Sequence, residues 1–419
     1  MEPLRSTPAA RPAGRFAAIT YVDALIPAGM WMDVAILSSL IALSGGTAVH
    51  VGALSLVASW AGLISQALAP HLLSVIGSRK WKIVASQGAT FLSLVFVALS
   101  VFFVRGRLSV PFLLVGVFLQ SFASGCMSLP WADLQRTQLE KRIRIRVITQ
   151  AIAISLLVAT LANLGVKAVL DSGLAFPANY GLVIAAGALL SGVSWLTFFL
   201  LPDDRGAGAV PPSDRAKPVL AFYREELSLL VKDRAVLLLF LAVIFYAVGS
   251  QASGLFISLG YQLSAAEMEA MFGTGLVMRM LVKAVAYYLG GRLAARYGNR
   301  MVLVLIALAG MVSPLTLLFL PFRYYILVMV ATNLIPMWHP FFVNMLMETS
   351  QPTRFAGYFT LFLMVPFPVA LLGPLLGLLA QGSPSTFGTT VLVSLILGVL
   401  LVLRMRERRS AGQAEAATG

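Results

Sequence analysis

Long apolar runs alternate with short breaks that are mostly basic. Twelve such runs can be drawn, at about 16–43, 51–74, 82–104, 110–131, 146–170, 181–201, 235–259, 268–290, 301–321, 325–347, 355–380 and 387–403. A helix crosses a bilayer with about 20 apolar residues. The runs are near that length and continuous, which excludes the short alternating strands of a closed β-barrel. One polar stretch is long, 202–234, between the sixth and seventh runs. It begins with Asp203-Asp204-Arg205-Gly206, passes Pro211-Pro212, and ends where Leu220, Tyr223, Leu227 and Leu230 recur at helical spacing. With Arg224, Glu225, Glu226 and Lys232 as its polar side, this segment predicts an amphipathic helix lying on a membrane surface. The pattern predicts an all-α integral membrane protein: a segment 1–15, a six-helix bundle 16–201, a central loop 202–234, a second six-helix bundle 235–403, and a tail 404–419.

Composition narrows the class. Of 419 residues, 59% are hydrophobic and 11% charged, against about 25% charged in a soluble domain. Such a chain could not cover its surface with polar groups in water, which excludes a soluble enzyme, a disulfide scaffold and a disordered protein. The lone cysteine, Cys126, lies in an apolar run and reads as a small core residue. The first 15 residues are polar and basic, and the run after them exceeds a signal-peptide core, so the first helix is expected to stay as an anchor.

The net charge of +14 has an uneven distribution. With the N-terminus inside, 25 Lys and Arg fall in the inside loops and the two ends, four fall outside, and Arg279 and Lys283 lie within a run. The positive-inside rule then predicts both termini in the cytoplasm. It also accounts for the charge without nucleic acid. The expectation is a multi-pass monomer of the bacterial plasma membrane, with the lipid bilayer as its main solvent.

Two landmarks repeat. Ile76-Gly77-Ser78-Arg79-Lys80 follows the second run, and GRLAARYGNR, residues 291–300, follows the eighth; Gly77 and Gly298 lie 221 residues apart. An acid ends the fourth run, Asp133, and another ends the tenth, Glu348, 215 residues later. Two landmarks at nearly one offset argue for two parallel six-helix halves, a known transporter plan with the substrate held between the halves. Each tight loop is expected to use Gly where φ is positive. Each Arg is expected to bond the carbonyls at a helix C-terminus or to anchor at the membrane surface.

At these residues the chain resembles the major facilitator superfamily, whose signature between helices two and three reads GxxxDRxGRR and is often echoed between helices eight and nine. Gly291, Arg296, Gly298 and Arg300 match the echo. In the first copy Gly77 and Arg79 fit, while Pro70 and Ser74 stand at the first Gly and the acid; Ala295 stands at the acid of the second. The resemblance, over about 15–405, implies a latch on the cytoplasmic face, with Asp133 and Glu348 as acidic partners for Arg79 and for Arg296 or Arg300. It also implies that helices one, four, seven and ten line a central cavity.

Charges at membrane depth are costly and mark function by default. Asp23 and Asp33 lie in the first run, Arg279 and Lys283 one turn apart in the eighth, and His339 beside Trp338 in the tenth. These are the candidate substrate or proton groups, against structural pairing as the alternative. Gln120, Gln251, Asn333 and Trp338 are candidate pocket residues, against helix-packing glue. Pro336, Pro340, Pro366, Pro368 and Pro374 predict kinks.

The leading reading is a secondary transporter that moves a small organic solute by alternating access, with protons as the expected coupling ion. A non-transporting sensor or scaffold on the same fold is the alternative. An integral membrane enzyme is disfavoured, because the sequence has three scattered histidines and no HExxH, GxSxG or GxxxxGK[ST]. No cofactor or metal is expected. Direction is open: helix five lacks the GxxxGPxxGG-like pattern of exporters, although Gly373-Pro374-Leu375-Leu376-Gly377 occurs in the eleventh run.

Overall fold

A computed structural model describes residues 10–26, 34–104, 106–202, 218–258, 265–320, 325–351 and 354–405. Among them every regular element is a helix. Among the described residues, eight helices are long and apolar enough to cross a membrane, and they correspond to eight of the twelve runs. The remaining four runs, the first, eighth, tenth and eleventh, are interrupted or carry charges.

The chain divides into two compact units: residues 1–140 with 150–219, and residues 141–149 with 220–419. Unit 1 holds α1 (Ala10–Ala24), α2 (Val34–Leu43), α3 (Ala48–Leu72), α4 (Arg79–Phe103), α5 (Ser109–Gln138), most of α6 (Lys141–Leu170) and α7 (Ala178–Phe198). Its core joins α2, α3, α4, α5 and α7 through Leu40, Leu54, Val97, Leu113 and Ile184. Small residues bring these helices close. A Cβ on Gly125 of α5 would lie 1.8 Å from Ser65 Oγ of α3, so only glycine allows that approach.

Unit 2 holds α8 (Val219–Lys232, from its second residue), α9 (Arg234–Ser258), α10 (Ala265–Tyr297), α11 (Asn299–Phe319), α12 (Tyr325–Leu334), α13 (Trp338–Thr349), α14 (Phe355–Met364), α15 (Pro366–Ala370), α16 (Gly373–Gly382) and α17 (Pro384–Arg404). One core cluster joins α9, α12, α16 and α17 through Ala252, Val328, Leu376, Phe387 and Leu395. The breaks fall at the prolines. Pro336 sits in a 3-10 turn, Ile335–Met337, between α12 and α13. Pro366 opens α15, and Pro374 stands at the start of α16. Proline lacks the N–H of a helix interior and is tolerated in a first turn, so each proline ends one helix and starts another.

The outer surface is apolar. Leu189 is 72% exposed, Leu378 65% and Phe319 74%, as expected for side chains whose solvent is lipid.

Candidate functional site

The most informative acid inside unit 1 is Asp23, near the end of α1. Ser194 Oγ of α7 donates to Asp23 Oδ1 at 2.5 Å. Gln87 Nε2 of α4 donates in turn to Ser194 Oγ at 3.2 Å. A carboxylate, a hydroxyl and an amide from three helices thus form one chain. Two residues before Asp23, Tyr21 donates its hydroxyl to Gln150 Oε1 of α6 at 2.7 Å. The sequence reading set proton or substrate chemistry at Asp23 against a basic partner; the group that meets it here is a hydroxyl. Neither Ser194 nor Gln87 had a sequence signal, because uncharged polar residues in apolar helices read as packing glue.

The other intramembrane candidates are dispersed. Asp33 lies outside the described residues, and of Arg279 only the backbone, in α10, is described. Lys283, further along α10, is half-buried. Gln120 of α5 is half-buried and accepts from Ser121, and Gln251 of α9 is exposed. Asn333 of α12 is buried. In unit 2, Trp338 and His339 open α13. The Trp338 ring lies 5.9 Å from Phe342 and 6.3 Å from Phe362, and the His339 ring lies 5.7 Å from Phe362. Trp338 is buried, whereas His339 is exposed. The break at Pro336 sets this aromatic group at a helix start, where backbone N–H groups lack intrahelical partners.

The two loop motifs differ in detail. In the first, Arg79 Nε meets Asp133 Oδ2 at 2.5 Å, and both side chains are largely shielded, 7% and 20% exposed. Arg136 of α5 feels both charges. Gly77 is not among the positive-φ glycines, because the chain entering α4 is extended at Ile76 and Ser78. The expectation of a left-handed glycine there is corrected. Gly298 does adopt φ +91° as it caps α11, a conformation that disfavours any side chain.

In the second motif the expected arginine–acid pairing does not form. Arg300 Nη1 donates to the Met405 carbonyl at 3.1 Å, and its Nη2 to the Leu403 carbonyl, so it caps the end of α17. Arg296 lies over the ring of its neighbour Tyr297, 5.1 Å from the centroid. Glu348 instead accepts from Lys141 at 2.8 Å, from Asn344 Nδ2 at 2.9 Å and from Asn299 Nδ2 at 3.3 Å. The other end of the Asn344 amide accepts from Arg144 Nε at 2.7 Å, and both residues are buried. Gly291 lies against the same segment: a Cβ there would stand 1.7 Å from Thr149 Oγ1. Residues 141–149, the start of α6, therefore bind unit 2 at three points along two helical turns. Sequence reasoning counted Lys141 and Arg144 as orientation charges. Nothing in their spacing distinguishes a docked cation from a solvated one.

Outside the membrane-spanning segments, α8 is also held firmly. Glu226 is buried and accepts from Arg354 at 3.4 Å. Tyr223 is hydrogen-bonded to Thr360, and burial raises its phenol pKa. Gly357 admits the Glu226 carboxylate, since a Cβ there would come within 2.5 Å of it. The inward stripe is Phe222, Glu226 and Leu230. This corrects the expected apolar face, because Leu220 and Leu227 point outward.

No protein-family model matches the sequence, and no curated protein matches it. Solved structures do. The E. coli fucose:proton symporter FucP, as an N162A variant, superposes with TM-score 0.73 at 14% identity, over 97% of this chain and 100% of that one. The proton:xylose symporter XylE, bound to 6-bromo-6-deoxy-D-glucose, gives 0.70 at 13% identity over 97% and 99%. The human organic anion transporter MFSD10 gives 0.65 at 13% identity over 95% and 100%. At such identities the likeness speaks for the fold, and it extends over nearly the whole of each chain: this protein has the fold of the major facilitator superfamily transporters.

Proposed function

We propose that the protein is a secondary transporter of a small polar organic solute, working by alternating access and driven by protons. The observation that carries this reading is the chain Asp23–Ser194–Gln87 within the membrane region of unit 1, in a fold whose neighbours include two proton-coupled sugar symporters. A carboxyl group in poorly hydrated surroundings gains or loses its proton as those surroundings change. Ser194 can donate to the ionised form and accept from the protonated one, so the network suits both states. On the substrate side, His339 is exposed beside the buried rings of Trp338 and Phe362, and its ring offers a hydrogen-bonding group suited to a neutral polar solute. Unlike an enzyme, such a protein needs no nucleophile, only differential binding in two states.

The two loop clusters act as the conformational latch. The Arg79–Asp133 pair stiffens unit 1. The start of α6, which continues into unit 1, is clasped by Gly291, Asn344 and Glu348 of unit 2. The protein works in the bacterial plasma membrane with both termini in the cytoplasm, as the distribution of Lys and Arg favours.

The test is proton movement in proteoliposomes. Wild-type protein challenged with a panel of neutral monosaccharides should alkalinise the outer medium with at least one of them. Asp23→Asn should abolish that signal while keeping counterflow of the same solute. Proton movement that survives in Asp23→Asn would remove Asp23 from the coupling step. Flux of no panel member by any assay would favour a sensor on the same fold.

A further inference from the structure

The C-terminal end of α8 is tied to a candidate membrane-spanning segment. Its last residue, Lys232, is separated by Asp233 alone from Arg234, where α9 begins its candidate span. Asp233 caps that turn by accepting from the N–H groups of Ala235 and Val236 at 3.2 and 3.3 Å. The inward face of α8 rests on the first turns of α14, through Arg354, Gly357 and Thr360. A helix joined to a span through a single residue has that end at the membrane boundary.

The outward face then matters. Leu220 is 83% exposed, Leu227 54% and Val231 60%. At about 100° per residue these three fall within an arc of about 40°, and Arg224 stands roughly 20° beyond it. Lys232 and Glu225 are both exposed and lie within about 20° of each other, about 100° or more beyond the edge of the stripe. The apolar stripe is thus bordered by a cation and kept away from the exposed anion. Water is a poor solvent for such a stripe, and the membrane boundary is a good one. Arg and Lys can extend from that depth to phosphate, keeping their stems in the apolar layer.

We propose that α8 is a binding site for anionic phospholipid, with Leu220, Leu227 and Val231 in the acyl boundary of the adjacent leaflet and Arg224 on a headgroup phosphate. Its rigid attachment through Glu226 and Phe222 means that the leaflet holds the start of α14 as well. The inference needs the membrane fold and does not depend on which solute is carried.

The test uses the full chain with Cys126→Ala and one bimane label, at Leu227→Cys or Val231→Cys, with Glu225→Cys as the reference. Each is reconstituted in phosphatidylcholine vesicles, with or without phosphatidylglycerol, whose acyl chains are brominated. Bimane at 227 and at 231 should be quenched by the brominated chains, and bimane at 225 should not. Quenching at 227 should deepen with phosphatidylglycerol, and Arg224→Gln should abolish the deepening. Equal quenching at 227 and 225, or none at 227 and 231, would overturn the membrane contact; the latter would mean that water or another protein surface covers the stripe. Quenching that ignores phosphatidylglycerol would overturn the phosphate recognition.

Discussion

The two loop clusters carry similar residue types and use their charges in opposite ways. In unit 1, Arg79 and Asp133 close on each other, across two helices of the same unit. In unit 2, Arg300 turns to the end of α17. Glu348 is left to Lys141, Asn344 and Asn299. The acid at the same place in each half therefore serves an internal strut in one and a clasp for the start of α6 in the other. Glycine usage separates them as well. Gly291 admits Thr149 against α10, while the corresponding position of the first copy is Pro70, which has no such opening. Two loops with similar residue types can thus have different partners and different roles.

Four substitutions would break or sharpen this contrast, in order of expected effect. Asp133→Asn leaves the buried Arg79 guanidinium without its carboxylate, and losing one partner of a buried pair costs about 3–5 kcal/mol. Thermal unfolding of the purified protein should show the largest loss there. Asn344→Leu removes an acceptor from the buried Arg144 and a donor from Glu348, with an expected loss of about 1.5–3 kcal/mol. Gly291→Ala forces Thr149 outward and should cost about 1–3 kcal/mol. Lys141→Gln should cost at most about 1 kcal/mol, because Lys141 is 44% exposed and its pair with Glu348 is solvent-screened. A Lys141→Gln loss as large as that of Asp133→Asn would erase the distinction between strut and clasp.

Much of the fold was legible because lipid solvation writes itself in long apolar runs, and because some prolines break helices, although Pro70, Pro130 and Pro314 stand inside continuous ones. Pro336, Pro366 and Pro374 mark the interruptions of the tenth and eleventh runs. The contact of Arg79 with Asp133 was legible too, as what the resemblance to the superfamily implied for the acid at the end of the fourth run. What could not be read was choice among equivalent partners. Arg296, Arg300 and Lys141 offered Glu348 the same charge, and only packing decides which of them reaches it. The same holds for α8. Leu220, Tyr223, Leu227 and Leu230 make a plausible stripe, yet Glu226 goes inward because Arg354 and Gly357 accommodate it there. Asp23 carried a signal as a charge in an apolar run, whereas Ser194 and Gln87 carried none.

The central claim, that the start of α6 is a releasable clasp while the first motif is a fixed strut, is tested most directly by cysteine accessibility at Thr149, which is fully buried. In a Cys126→Ala background, Thr149→Cys is exposed to a membrane-impermeant maleimide from the cytoplasmic side. The account predicts slow labelling in the parent, much faster labelling with Glu348→Gln, and no acceleration with Asp133→Asn at a temperature well below its unfolding. Equal labelling with Glu348→Gln and Asp133→Asn, or no acceleration in either, would contradict it.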